Sequence, residues 1–160
     1  MSDVQTLRAR DVISSKLAHC YMTQGSNRYL LMNAVKLEAK AEKNKQEVAI
    51  LGRMSKGHKT SSVNYTGSMT VYYVTNLFLD MMKTLQETGE DIYFDIQATI
   101  EDPTSDAGRL TIILKDCNID STTLISFDAD SDGWVEQEMD FTFESYEVVE
   151  KFTELDGIAQ

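Results

Sequence analysis

The chain has 160 residues, 42% of them apolar, and a net charge of −11. That is long enough to bury a core in one domain without disulfides or metals, and too apolar for wholesale disorder. The charge is lopsided: residues 1–89 carry twelve Lys and Arg against seven Asp and Glu, and residues 90–160 carry three against nineteen. So acidic a second half argues against a nucleic-acid binder, which needs a basic face over phosphates. It fits a surface that repels phosphate, meets a basic partner or simply keeps the chain soluble.

Residues 1–16 are weakly patterned and read as an arm that is frayed or flexible. They lack the apolar stretch of a secretory leader, and no segment approaches the roughly 18 apolar residues of a spanning helix. Cys20 and Cys117 are therefore expected as reduced thiols in a protein made in a cytoplasm. Apolar runs from Ala18 to Thr23 and from Tyr29 to Ala34 flank Gln24-Gly25-Ser26-Asn27, a hairpin-like break. From Val35, apolar residues alternate with Lys36, Glu38, Lys40 and Glu42, which predicts a strand with a charged outer face. A further short strand is expected over Glu47–Met54. Gly52 to Gly67 is polar, basic and glycine-punctuated, and reads as a long functional loop.

The clearest local pattern is SMTVYYVTNLFLDMMKTLQETGEDIYFDIQA, residues 68–98. Met69, Val71 and Tyr73 alternate as in a half-buried strand. Thr75 or Asn76 can cap a helix that gathers Leu77, Phe78, Met81, Met82 and Leu85 on one side, and Gly89 stands where a left-handed residue would end it. Ile92, Phe94, Ile96, Ala98 and Ile100 then alternate again. Three more strands are predicted, over Arg109–Lys115, Thr122–Phe127 and Val135–Phe143, and the acidic residues 152–160 read as a loose tail. The expected fold is a single mainly β domain (α+β) over residues 1–160: two packed antiparallel sheets, a sandwich or barrel, flanked by one α-helix.

Chemistry is hard to find in this sequence. GRMSKGHKT at residues 52–60 nearly spells a phosphate-binding loop, but His58 separates the second glycine from Lys59 and no helix follows. A basic loop is the better reading. Asp128, Asp130, Asp132 and Gly133 resemble the start of a calcium loop, yet the twelfth position is Met139 and the flanks read as strands. Turn chemistry is the better reading, and a calcium-dependent binding module around Asp128–Gly133 stands as the alternative function. His19 and His58 belong to no ligand-spaced cluster, and no nucleophile–base set has local support. No enzyme, cofactor or metal is expected. Phe78, Met81 and Met82 read as core, and Trp134 as an exposed residue available to a partner.

Five strings stand together in an order that resembles the PBSX-type tail tube proteins: EKNKQEV at 42–48, GRMSKGHKT at 52–60, TGSMTVYYVT at 66–75, YFDIQA at 93–98 and DFTFE at 140–144. These are inner-tube subunits of contractile phage tails and phage-tail-like bacteriocins, and the resemblance covers roughly residues 35–155. It implies the tail-tube fold and a self-assembling structural protein whose hexameric rings stack around a lumen. It implies as partners the sheath, the tape measure and the baseplate. DNA would pass through without specific binding. The particle would assemble in the bacterial host cytoplasm and place this chain in a virion tail or bacteriocin. The long basic loop, with Arg53, Lys56, His58, Lys59 and Tyr65, would reach a neighbouring subunit or ring. Glu136, Glu138 and Asp140 are candidates for an acidic face that lines the lumen or stacks on the next ring, where like charge would keep DNA from sticking.

Overall fold

A computed structural model describes residues 6–14, 16–130, 133–153 and 155. After a short 3₁₀ turn at Ala9–Asp11 come β1 (Ala18–Gln24), β2 (Asn27–Leu30), β3 (Ala34–Val48) and β4 (Gly57–Tyr72). The helix α1 (Leu77–Thr88) follows, then β5 (Phe94–Glu101), β6 (Arg109–Thr122), β7 (Glu136–Thr142) and β8 (Ser145–Glu150). The hydrogen-bonded order is β2-β1-β5-β6-β7-β4-β3, with β8 also on β6. All the registered pairs are antiparallel. This is the mainly β, single-helix architecture expected from the sequence.

The chain forms two compact units that share β6. The first comprises residues 1–34, 93–117 and 145–160. Here Met22 registers on Ile96 and Ile96 on Leu114, and all three are buried. Alternation writes that row into the sequence, because every second residue of a strand faces the same side. Between Phe94 and Ile96 the register on β6 shifts, and Asp116 adopts φ 54°. An extra residue in one strand and a left-handed Asp are the marks of a bulge. The Asp116 amide donates to Asp95 Oδ1 at 3.0 Å. The N-terminal segment is tied down in this unit: the Asp106 amide donates to Asp11 Oδ1 (3.1 Å), Ser105 Oγ to the Asp11 carbonyl (2.9 Å), and the Ser14 amide to Asp102 Oδ2 (3.2 Å). Residues 1–5 of the expected arm, and most of the expected acidic tail, lie outside the described residues.

The second unit comprises residues 35–92 and 118–144. Its interior holds Met69, Val71, Phe78, Met81, Met139, Phe141 and Phe143. Asn76 occupies the helix N-cap position without a side-chain cap bond, and Gly89, φ 73°, ends α1 as its sequence position implied. Phe78 and Met81 are buried and Met82 is half-buried, as expected of a core-facing stripe.

Three expectations are corrected. The strand predicted over Glu47–Met54 is instead the end of β3 and a turn over residues 49–56. The long loop predicted from Gly52 to Gly67 is strand from Gly57 onward. The end of β3 and the first half of β4 are mostly exposed on their two faces, so there the side chains carry no burial period to read. The strand expected over Thr122–Phe127 is the end of β6 followed by a loop: Leu124, Ile125 and Phe127 are apolar yet exposed. One strand escaped the sequence, the fully exposed β8. It pairs with β6, Lys115 facing Ser145 and Leu114 facing Tyr146.

Candidate assembly surfaces

Backbone pairing builds the first surface. β3 and β4 run as a long antiparallel arm, and among the described residues β3 pairs only with β4, which leaves its other edge open. The arm is tied laterally by polar contacts: Asn44 Nδ2 donates to Ser62 Oγ and Ser61 Oγ to the Asn44 carbonyl, both at 2.9 Å. Lys40 Nζ lies 3.0 Å from Glu38 Oε1, and this hydrogen-bonded cation holds the Glu38 carboxyl below the usual carboxylate range. Such exposed pairs add little stability, so the ladder itself keeps the arm in shape. A row of charges along an open edge also discourages unplanned strand pairing.

At the end of the arm, the Arg53 amide donates to the Ile50 carbonyl at 3.2 Å and closes the turn. Leu51 and Met54 are fully exposed, at 103% and 106%. Around them stand Arg53, Lys56 and Lys59 with no acidic residue between 49 and 59. Lys56 Nζ reaches back to Glu47 Oε2 at 3.5 Å. Thus four of the predicted contact residues, Arg53, Lys56, His58 and Lys59, are brought together at the tip and the adjoining start of β4. Tyr65 is not among them. Seven residues along β4 from His58, it is about 23 Å away by strand rise. It packs against Phe143, ring centroids 5.3 Å apart, and its carbonyl accepts the Phe143 amide at 3.3 Å.

The second surface is β7. Its burial alternates strictly: Gln137, Met139 and Phe141 are buried, while Glu138, Asp140 and Thr142 are exposed and Glu136 is half-exposed. The predicted acidic trio therefore shares one face. Across the ladder it meets Tyr72, Thr70 and Ser68 of β4. Asp140 borders a shallow depression of about 350 Å³ with Glu38, Lys40, Thr66 and Asp120. Glu136 and Glu138 border a different one.

That one is a cavity of about 560 Å³ beside the loop joining β6 to β7, lined also by Phe127, Asp128, Trp134 and Val135. Phe127 is 84% exposed and Trp134 78%, the exposure expected of Trp134 from the sequence. Gln137 fixes the root of this loop: it is buried and donates from Nε2 to the Thr123 carbonyl at 3.1 Å. Tyr73 fixes the other side, donating from its hydroxyl to the Leu124 carbonyl at 2.8 Å and from its amide to the Val135 carbonyl at 3.0 Å. The Asp130 amide donates to Asp128 Oδ1 at 3.0 Å, a local turn contact. Asp132 lies outside the described residues. Among the described residues no group of three His, Cys, Asp or Glu is placed to hold a metal. Apart from Trp134, the exposed apolar residues of the tip and of this loop were not singled out from the sequence as contacts. Their signal was there, in Leu51, Met54, Leu124 and Phe127 standing within polar, glycine- or aspartate-rich segments.

The charge of this unit is sharply divided. Residues 34–72 carry seven Lys and Arg against three Glu, and residues 118–144 carry eight acidic residues and no Lys or Arg.

Known proteins resemble this chain over most of its length. The family model described as "Phage tail tube protein" matches residues 5–150. The phage-like element PBSX protein XkdM of Bacillus subtilis (strain 168) is 38% identical over 148 residues, covering 92% of this chain and 97% of that protein. In fold, the chain is similar to one from the cryo-EM structure of the anti-feeding prophage baseplate, 6-fold symmetrised. The TM-score is 0.61 at 10% identity, covering 93% of this chain and 97% of that one. It is also similar to a chain of the PVC extracellular contractile injection system, from its sheath-tube complex in the extended state. There the TM-score is 0.58 at 15% identity, covering 81% and 86%.

Proposed function

The chain belongs to the phage tail tube family, and from that premise we propose that it acts by self-assembly alone, as hexameric rings stacked around a lumen. The observation that carries this reading is the β3–β4 arm, a long ribbon that buries little in its own subunit yet ends in fully exposed Leu51 and Met54. Apolar side chains held out in this way are stabilised by covering them, and a neighbouring copy supplies the cover. The open edge of β3 supports the same reading, because strands joined from subunit to subunit close a barrel and leave no edge exposed.

In this proposal Arg53, Lys56, His58 and Lys59 make the contact between rings, and Glu136, Glu138 and Asp140 face a neighbouring ring or the lumen. The sheath surrounds the tube, the baseplate starts the first ring, and the tape measure is a further partner. Where the particle carries DNA, the DNA passes without specific binding. The subunit performs no catalysis and needs no cofactor; it is a component of a virion tail or a tail-like particle assembled in the host cytoplasm. No helix among the described residues is long and apolar enough to cross a membrane.

Negative-stain electron microscopy of concentrated protein, with its mass in solution recorded alongside, tests the proposal. Hollow rings or tubes with six-fold end views are expected, from the protein alone or with its baseplate proteins co-expressed. A strict monomer under both conditions would overturn it.

A further inference from the structure

The tip of the arm and the aromatic, acidic cavity belong to the same compact unit but lie at opposite ends of β4. The tip joins β4 at Gly57. The cavity sits at the Tyr72 end, where Tyr72 registers on Glu136 and Tyr73 holds both Leu124 and Val135. At about 3.3 Å per residue, the 16 residues of β4 separate the two by about 50 Å. No subunit can therefore fill its own cavity with its own tip.

The two features match in kind. The tip presents Leu51 and Met54 among Arg53, Lys56 and Lys59, with no acid between residues 49 and 59 and Glu47 alone reaching Lys56. The cavity presents Phe127 and Trp134 among Asp128, Glu136 and Glu138, and the whole stretch 118–144 has no Lys or Arg. A flexible methionine is suited to fill an irregular aromatic recess, and sulfur–aromatic contact is favourable in its own right. Opposite charge around an apolar centre adds orientation and rejects the wrong docking, since tip on tip or cavity on cavity would set like charges together.

We propose that the tip of the β3–β4 arm of one copy, through Leu51 and Met54, seats in the cavity formed by Phe127, Trp134, Glu136 and Glu138 of the copy stacked on it. This rests on the stacked-ring reading above and names the surface that receives the arm. A contact between two different patches at opposite ends of one strand is heterologous. Repeated along that strand direction it does not close on itself, and it grows a filament rather than a finite oligomer. Charge placement thus gives the tube its polarity.

Trp134 is the chain's only tryptophan, so its emission reports on the cavity directly. The experiment compares wild-type protein with two charge reversals, Arg53→Glu with Lys56→Glu at the tip, and Glu136→Lys with Glu138→Lys at the cavity. Circular dichroism confirms folding, and microscopy and solution mass distinguish rings from tubes. In wild-type tubes Trp134 emission is expected at shorter wavelength, and less open to acrylamide quenching, than in isolated rings. Each reversal alone is expected to leave rings and lose tubes. An equimolar mixture of the two is expected to regain tubes in which rings alternate, because each reversed tip meets a reversed cavity. Wild-type tubes in which Trp134 stays as quenchable as in free rings would overturn this inference and leave the stacked-ring function standing. Failure of the mixture to regain tubes would overturn it too. Absence of any ring or tube from the wild type, with or without baseplate proteins, would overturn the function itself and this inference with it.

Discussion

Gly67 lies directly beneath the ring of Phe141, its partner in the β4–β7 register. A Cβ built on Gly67 would come within 2.5 Å of Phe141 Cζ and 2.8 Å of the Glu38 carbonyl oxygen. The close approach lets a buried ring on β7 lie over β4 where the arm leaves the core. A strand position that tolerates no side chain explains a glycine that strand propensity alone would disfavour.

Gly67→Ala is therefore expected to destabilise the protein by roughly 1–3 kcal/mol, the usual cost of overpacking a core. The ring can turn aside, whereas the Glu38 carbonyl belongs to the β3 ladder and cannot yield cheaply. Urea denaturation measures the difference. A stability equal to wild type would mean that β3 and β4 separate freely at this point.

The N-terminal segment should respond to acid. The Asp106 amide and then the Arg8 guanidinium hold the Asp11 carboxyl below its ordinary value. Thr104, through hydroxyl and amide, and the Ser14 amide do the same for Asp102. A carboxylate depressed in the fold contributes stability above its unfolded value of about 3.9 and loses it as pH falls through the depressed one. Asp11→Asn should thus be less stable than wild type at neutral pH. That difference should shrink below about pH 4, as the wild type loses the same contribution. Denaturation curves for both proteins from pH 7 to 3 give the answer; a gap that persists in acid would assign Asp11 a role independent of its charge.

Both cysteines are free and buried, and burial pushes the Cys20 thiol up to about 11 and Cys117 to about 12, the latter with Asp95 adding repulsion. Neither should react with an alkylating reagent near pH 8 until the protein unfolds, because the thiolate is the nucleophile. The sign at high pH follows from the raised values. An unfolded thiol ionises near 8.5, the folded ones later, so stability should decline from about pH 8.5 upward until the folded values are passed. Mass spectrometry after alkylation, with and without denaturant, counts the modified thiols.

The acidic face of β7 separates two roles. Changing Glu136 and Glu138 to Gln and Asp140 to Asn removes three charges from exposed or half-exposed positions and should leave folding within about 0.5 kcal/mol of wild type. Tube elongation should weaken, since two of the three carboxylates border the cavity that receives the arm. Normal tubes combined with slowed DNA passage would instead assign this face to the lumen.

The elements that bury one side were legible in the chain. Helix α1 showed its stripe and its terminal Gly89, and β7 and the first residues of β5, Phe94 and Ile96, showed their alternation, because burial selects apolar residues at a fixed period. The basic character of the tip and the acidity of β7 were equally plain, since charge is a property of composition. The tertiary structure decided the rest. The outer part of the arm and β8 are held by backbone hydrogen bonds, which any side chains permit, so there the exposure of both faces leaves no burial pattern to read. Pairing alone could separate Tyr65 from the tip and gather Phe127, Trp134, Glu136 and Glu138 around one cavity. It also set that cavity and the arm's tip at opposite ends of β4, because distance along a strand becomes distance in space only once the partners of that strand are fixed.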